Sequence, residues 1–92
     1  MRVTFDENKR LEVLNSRGLD FKDAAELFDK FHLTRQDDRE YEEDRFVTVG
    51  EMKDQVVLVV WTPRDEGRRI ITMWKANHGE REKYYRYRDE SG

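Results

Sequence analysis

Val56 to Lys75 reads VVLVVWTPRDEGRRIITMWK and holds the longest apolar run and the only proline of the 92 residues. Branched and aromatic residues interrupted by a polar, glycine-containing turn spell a β-hairpin. The pattern predicts a strand Val56–Thr62, a turn over Asp65, Glu66 and Gly67, and a return strand Arg68–Trp74. Val56 to Val60 is apolar at every position, as expected of a central strand buried on both faces. Pro63 lacks an N–H and interrupts the ladder, which leaves Arg64 just past the strand end. On the return strand a period of 2 puts Arg69, Ile71, Met73 and Lys75 on one face and Arg68, Ile70, Thr72 and Trp74 on the other. Each face mixes apolar and basic residues, which suits a strand lining a basic groove at the edge of a core.

Working outward, the segment before the hairpin supplies helices. Arg2 to Phe5 alternates as a short strand does. Asp6 fits a helix N-cap, Glu7 to Asn15 a helix with Leu11 and Leu14 on one side, and Gly18 its stop. Phe21, Ala24, Ala25 and Phe28 repeat at helical spacing, with Phe31 a step further round; Asp20 and Asp23 resemble a capping pair. The two alanines would let this helix lie close to a sheet. His32 to Arg35 suits a short strand, Asp37 to Asp44 (DDREYEED) an exposed, solvated loop, and Arg45 to Gly50 another strand that turns at Lys53 and Asp54. After the hairpin, Asn77 and Glu80 form a capping-box pair, and Arg81, Tyr84, Tyr85 and Arg88 line one side of a last helix. Asp89 to Gly92 should fray. The predicted order is β-α-α-β-β-β-β-α: one α+β domain over residues 1–92, with N-terminal helices packed on an antiparallel sheet and a C-terminal helix.

Charge bears on function more than size does. Charged residues make up 42% of the chain for a net charge of −3. The negative total disfavours general coating of nucleic acid. Yet Arg64 to Arg88 holds 8 basic and 4 acidic residues, enough for a local basic site that meets a phosphate or an acidic partner. The absence of cysteine excludes a disulfide framework and a thiolate zinc site. Two isolated histidines, His32 and His78, do not fill a metal site, so no metal or cofactor is expected. No apolar run approaches the roughly 18 residues of a membrane span, and MRVTFDENKR has no apolar stretch of the kind a signal peptide needs. A cytoplasmic location is the expectation.

Glycine-rich phosphate loops, nucleophile elbows and H-x-x-x-H pairs are all missing. What remains is a set of cations, Arg64, Arg69, Lys75 and Arg81, drawn from neighbouring elements. Cations around a phosphate gaining negative charge are what cleavage of RNA by its own 2′-hydroxyl requires. The reaction also requires a proton acceptor, for which Glu80 is available, and a donor, for which Lys75, Tyr84 and Arg81 are available. The same residues equally describe a solvated basic face with a capping Glu80, a core Tyr84, and Trp61 and Trp74 as packing residues.

The order of residues resembles the BrnT family of type II toxins, small ribonucleases with a RelE-like fold. Phe5-Asp6, Lys9, Asn15 and Gly18 fit the family's opening W/F-D-x-x-K…N…G, and Phe21, Ala24-Ala25 and Phe28-Asp29 fit F-x-x-A…F-D. Glu43, Arg45 and Phe46 fit E-x-R-F/Y, with Gly50 following. Val59-Val60, Thr62 and Arg64 fit V-V-x-T-x-R; Arg69-Ile70-Ile71 fits R-I-I-S; Lys75-Ala76 ends the R-K-A run; Glu80-Arg81 and Tyr84 fit E-R-x-x-Y. The resemblance implies a metal-independent endoribonuclease that cleaves mRNA and arrests growth. It implies Arg64, Arg69, Lys75, Glu80, Arg81 and Tyr84 as site residues. It also implies a BrnA-like ribbon-helix-helix antitoxin as partner, through which alone the toxin meets DNA, and no membrane. Ser16-Arg17 stand where the family has Lys-His, Thr72 where it has serine, and Trp74 where it has arginine. The last change removes a cation and implies a second reading, a weakened or inactive toxin serving as a binding module in a repressor complex.

Overall fold

The computed structural model describes residues 2–39 and 41–91. The strands and helices follow the predicted order: β1 Val3–Phe5, α1 Glu7–Arg17, a 3-10 turn Phe21–Asp23 leading into α2 Ala24–Asp29, β2 His32–Gln36, β3 Phe46–Met52, β4 Gln55–Arg64, β5 Gly67–Lys75 and α3 His78–Ser91. The sheet runs β1-β5-β4-β3-β2. β4 is therefore central, and Val56 to Thr62 is buried without a break. Both hairpin links are two residues long. Lys53 and Asp54 both take positive φ, 49° and 63°, the conformation whose twist matches a two-residue hairpin.

One sheet feature departs from expectation. β1 pairs with β5 in parallel, so the sheet is mixed rather than antiparallel. A parallel pair needs a long crossover, and here α1, α2 and three strands supply it; alternation within Arg2–Phe5 carries no information about strand direction. The pairing also explains Gly67. It opens β5 instead of forming the turn, where Asp65 carries the positive φ of 50°. A Cβ on Gly67 would lie 2.7 Å from the Arg2 carbonyl oxygen, the same oxygen that accepts from the Arg68 N–H at 3.1 Å.

A register shift between Val60 and Trp61 corrects the faces of β5. Val60 opposes Thr72 and Trp61 opposes Ile70, leaving Ile71 without a partner. An extra residue on one strand reverses the alternation beyond it. Ile70 and Met73 thus share one core although three residues apart, while Ile71 and Trp74 join the other. Lys75, opposite Val57, falls on the α1–α2 side, and Arg69, opposite Thr62, on the α3 side.

Two cores result, one on each face of β4. On the α1–α2 side Phe21, Leu27, Val57, Val59 and Met73 are fully buried; side chains of this kind contribute roughly 1.5–3 kcal/mol each on leaving water. Trp61 stacks on Phe46 at 5.0 Å, and its Nε1 donates to Thr48 Oγ1 at 2.8 Å, so the buried indole N–H is satisfied. In α1 the residue that enters this core is Val13, whereas Leu11 is 43% exposed. Asp6 caps α1 by accepting from the Lys9 N–H, and Gly18 ends it at φ 70°. α2 stops at Asp29 because Lys30 is extended. Phe31 consequently leaves the helix and crosses to the α3-side core, beside Tyr84 at 5.9 Å. That core holds Val47, Val56, Leu58, Val60, Ala76 and Tyr84.

α2 is pressed onto β3 at Gly50. A Cβ there would lie 2.8 Å from Leu27 Cγ, and Leu27 is fully buried. Gly50→Ala should therefore lower stability by about 1–3 kcal/mol through overpacking. In a urea titration the midpoint should fall while the slope stays unchanged.

Candidate functional site

The chemistry-bearing residues gather at the turn end of the α3-side face. Thr62 and Arg69 oppose each other across β4 and β5, and Arg64 opposes Gly67 one pleat further on. Pro63 is exposed and ends the buried run. Arg64 therefore emerges from the sheet with half its side chain in solvent. There it meets a carboxylate: Arg64 Nη2 donates to Glu43 Oε2 at 2.5 Å. Glu43 Oε1 lies 3.7 Å from Arg45 Nε. The Arg64 hydrogen bond holds the Glu43 carboxyl below the usual carboxylate range against its partial burial, with the charges of Arg64, Arg45 and Arg69 adding to the effect. One acid thus sits among three arginines, Arg64 of β4, Arg69 of β5 and Arg45 just before β3.

Glu43 is placed by the segment between β2 and β3. Far from being merely solvated, this segment is tied down at both ends. The Asp37 N–H donates to the Arg45 carbonyl at 2.8 Å, and Thr62 Oγ1 donates to the Asp44 carbonyl at 2.6 Å. Asp37 itself is buried, 8% exposed. Its carboxylate accepts from Arg39 Nε at 3.1 Å and Nη2 at 2.8 Å, a fork-to-carboxylate pairing. The Arg45 guanidinium lies 3.9 Å from the centre of the Tyr41 ring, which fixes the cation beside Glu43.

Beside this end a groove of about 350 Å³ runs between α3 and the sheet. Leu33, Val47, Val49 and Leu58 form its floor, and Glu80, Lys83, Tyr84 and Tyr87 of α3 its wall, with Arg35 on the border.

Of the six residues singled out from the sequence, Arg64 and Arg69 come together. Lys75 is exposed, on the opposite face and six residues along β5, about 20 Å of strand. Glu80 and Arg81 sit in the first turn of α3. Glu80 Oε1 accepts from the Asn77 N–H and its own N–H donates to Asn77 Oδ1, both at 2.8 Å, the capping box read from the sequence. Arg81 is exposed, and its N–H donates to the Asn77 carbonyl. Tyr84 is 1% exposed; its hydroxyl donates to the Phe31 carbonyl at 3.3 Å, and burial raises its pKa. Trp74 opposes Leu58 and is half-buried in the α3-side core, five residues from Arg69. Glu43 and Arg45 were not among the expected site residues. Both stand in the E-x-R-F stretch, but nothing local indicates that Glu43 turns toward Arg64, 21 positions away. Among the described residues, no group of three or more histidines, cysteines and acids could hold a metal ion. No helix is long and apolar enough to cross a membrane.

A family model described as ribonuclease toxin, BrnT, of type II toxin-antitoxin system matches residues 5–80. The chain belongs to this family. The matched segment contains Glu43, Arg45, Arg64 and Arg69 and ends at Glu80. No curated protein was found to match the chain.

The Asp37–Arg39 pair gives the segment that carries Glu43 a pH signature. Arg39 pulls the Asp37 carboxyl from 3.8 to about 2, chiefly by its hydrogen bonds. A depressed folded-state pKa stabilises the fold fully above the ordinary carboxylate value, and the contribution disappears as pH falls through about 2. In a side-chain carboxyl NMR titration Asp37 should have its midpoint near about 2, and Arg39→Ala should return it toward 3.8.

Proposed function

We propose that this BrnT-family chain is an endoribonuclease that cleaves mRNA without a metal, at the cluster of Glu43, Arg45, Arg64 and Arg69. The observation that carries the reading is the Glu43 carboxylate held by Arg64 and flanked by Arg45 and Arg69 on an open sheet face. Arginines match phosphate oxygens geometrically and stabilise the charge that builds on phosphorus. Glu43 is a carboxylate within reach of whatever those arginines grip. It takes the proton of the ribose 2′-hydroxyl; the 2′-oxygen attacks phosphorus, the bond to the 5′-oxygen breaks, and that oxygen takes up a proton from solvent. The products are a 2′,3′-cyclic phosphate and a 5′-hydroxyl.

The depressed pKa of Glu43 suits this cycle. In the free protein three arginines keep the carboxylate ionised. A bound phosphodiester shares those arginines and adds a negative charge nearby, and both effects raise the carboxyl pKa. The base therefore strengthens when substrate is present, closer to the value that general-base catalysis favours.

The remaining residues carried over from the family lie at the far end of β5 and in α3. Lys75 and Arg81, both exposed, contact the RNA strand away from the scissile phosphate, and Glu80 and Tyr84 act by holding α3 in place. Trp74 lies in the α3-side core rather than over Arg69, so it removes a family cation without filling the phosphate site. The partner that neutralises the toxin is a BrnA-like ribbon-helix-helix antitoxin, through which the pair meets operator DNA. The toxin works in the cytoplasm, where mRNA is, and its unchecked activity arrests growth.

Two measurements separate these roles. Glu43→Gln and Arg69→Ala should each lower cleavage of a defined RNA by on the order of 10²–10³-fold, mainly in kcat. Glu43→Gln should also abolish the acid limb of the pH–rate profile. Lys75→Ala should instead weaken RNA binding and reduce its salt slope by about 0.7, the value for one single-strand phosphate contact. Folded Glu43→Gln protein that cleaves at the parent rate, or that still arrests growth on induction, would sink the assignment.

A further inference from the structure

We propose that the groove between α3 and the sheet is the docking site of the antitoxin, occupied by an extended acidic segment that adds a sixth strand alongside β2. The proposal rests on reading the chain as the toxin of a toxin–antitoxin pair, and it adds where and how the partner binds. Three observations carry it.

First, the floor is aliphatic. Leu33, Val47, Val49 and Leu58 line it, and Tyr87 stands at the lip 45% exposed. A floor of branched side chains fits the aliphatic residues of a peptide. Single-stranded RNA would want a series of aromatic faces on which to stack its bases; the floor offers none and Tyr84 is buried, which leaves Tyr87 as the one exposed ring lining the groove.

Second, β2 is an edge. It pairs with β3 alone, and Thr34, Arg35 and Gln36 are exposed. The outward N–H and C=O groups of an edge strand are a template for a further strand. An added strand sends alternate side chains to one face, which here places them beside Leu33 and under the α3 wall.

Third, the lip is basic. Arg35 borders the groove from β2 and Lys83 from α3, and neither makes an ion pair among the described residues. The acid of the wall, Glu80, is engaged by the Asn77 N–H. Acidic residues on the incoming segment would meet a cation on each side, Arg35 and Lys83. The groove also leads to the arginines: Val47 opposes Val60, one pleat from Thr62 and Arg69. A segment laid along β2 and the floor would end near the Glu43 cluster and exclude RNA from it, so docking and neutralisation become one event.

The test uses the full chain and its purified antitoxin. Hydrogen exchange of the unaltered toxin should show the outward β2 amides protected at saturating antitoxin. If they exchange as in the free protein, or if the antitoxin does not bind, the proposal fails. The double variant Lys83→Glu, Tyr87→Glu should bind antitoxin on the order of 10–100-fold more weakly while unfolding at the same temperature as the parent. It should bind an uncleavable 2′-O-methyl RNA as the parent does. Unchanged antitoxin affinity in the folded variant would overturn the proposal. So would a loss confined to RNA, which would make the groove an RNA surface. Because these readouts need no catalysis, a chain that fails to cleave RNA but shows the β2 protection refutes the nuclease assignment and leaves the docking site standing.

Discussion

Everything in this fold depends on burying β4 on both faces. A strand with apolar side chains on each side can leave water only if both of its edges are hydrogen-bonded and both of its faces are covered. β3 and β5 supply the edges; α1 and α2 supply one cover and α3 the other. The covers differ in kind. The α1–α2 side is closed by Phe21, Leu27 and Phe28 and reinforced by Arg68, whose guanidinium lies 4.2 Å over the Phe28 ring and 4.6 Å over Trp61. The α3 side is closed where Tyr84, Tyr85, Ala76 and Phe31 meet the sheet. The rest of that face stays open and holds both the groove and the arginine cluster. The proposed site sits where the second cover falls short.

The hairpin was legible because its information is local. An apolar run, one proline and a polar glycine-containing link sufficed to place the hairpin, although β4 runs on through Pro63 to Arg64, both still paired with β5, and the link is only Asp65 and Glu66. The element order and the capping box of α3 were legible for the same reason. The bulge was not. It inserts Ile71 without altering the composition of β5, so a strict period of 2 assigned Met73 and Lys75 to the face of Arg69. Direction of pairing was invisible too, and only the proximity of Arg2 to Gly67 reveals why a glycine opens β5. The candidate site divides along the same line. Arg64 and Arg69 are close in the chain and in space. Glu43 and Arg45 reach them through an acidic segment whose composition suggested a loop free in solvent, and whose order comes from contacts such as Thr62 with the Asp44 carbonyl.

A negative chain that handles RNA is less contradictory than its net charge suggests. Exposed charges beyond about 10 Å are screened at ordinary ionic strength, so the cluster a phosphate meets matters more than the total. Around Glu43 three arginines outweigh one acid. That acid also has a structural effect: without it, the like charges of Arg64, Arg69 and Arg45 would repel one another across a partly desolvated face. A phosphate arriving there substitutes for Glu43 as the counter-charge. In the proposed mechanism the site is assembled around a carboxylate that the substrate displaces electrostatically, and the displaced group becomes the stronger base. On that proposal, stability of the empty site and reactivity of the filled one come from the same Arg64–Glu43 contact.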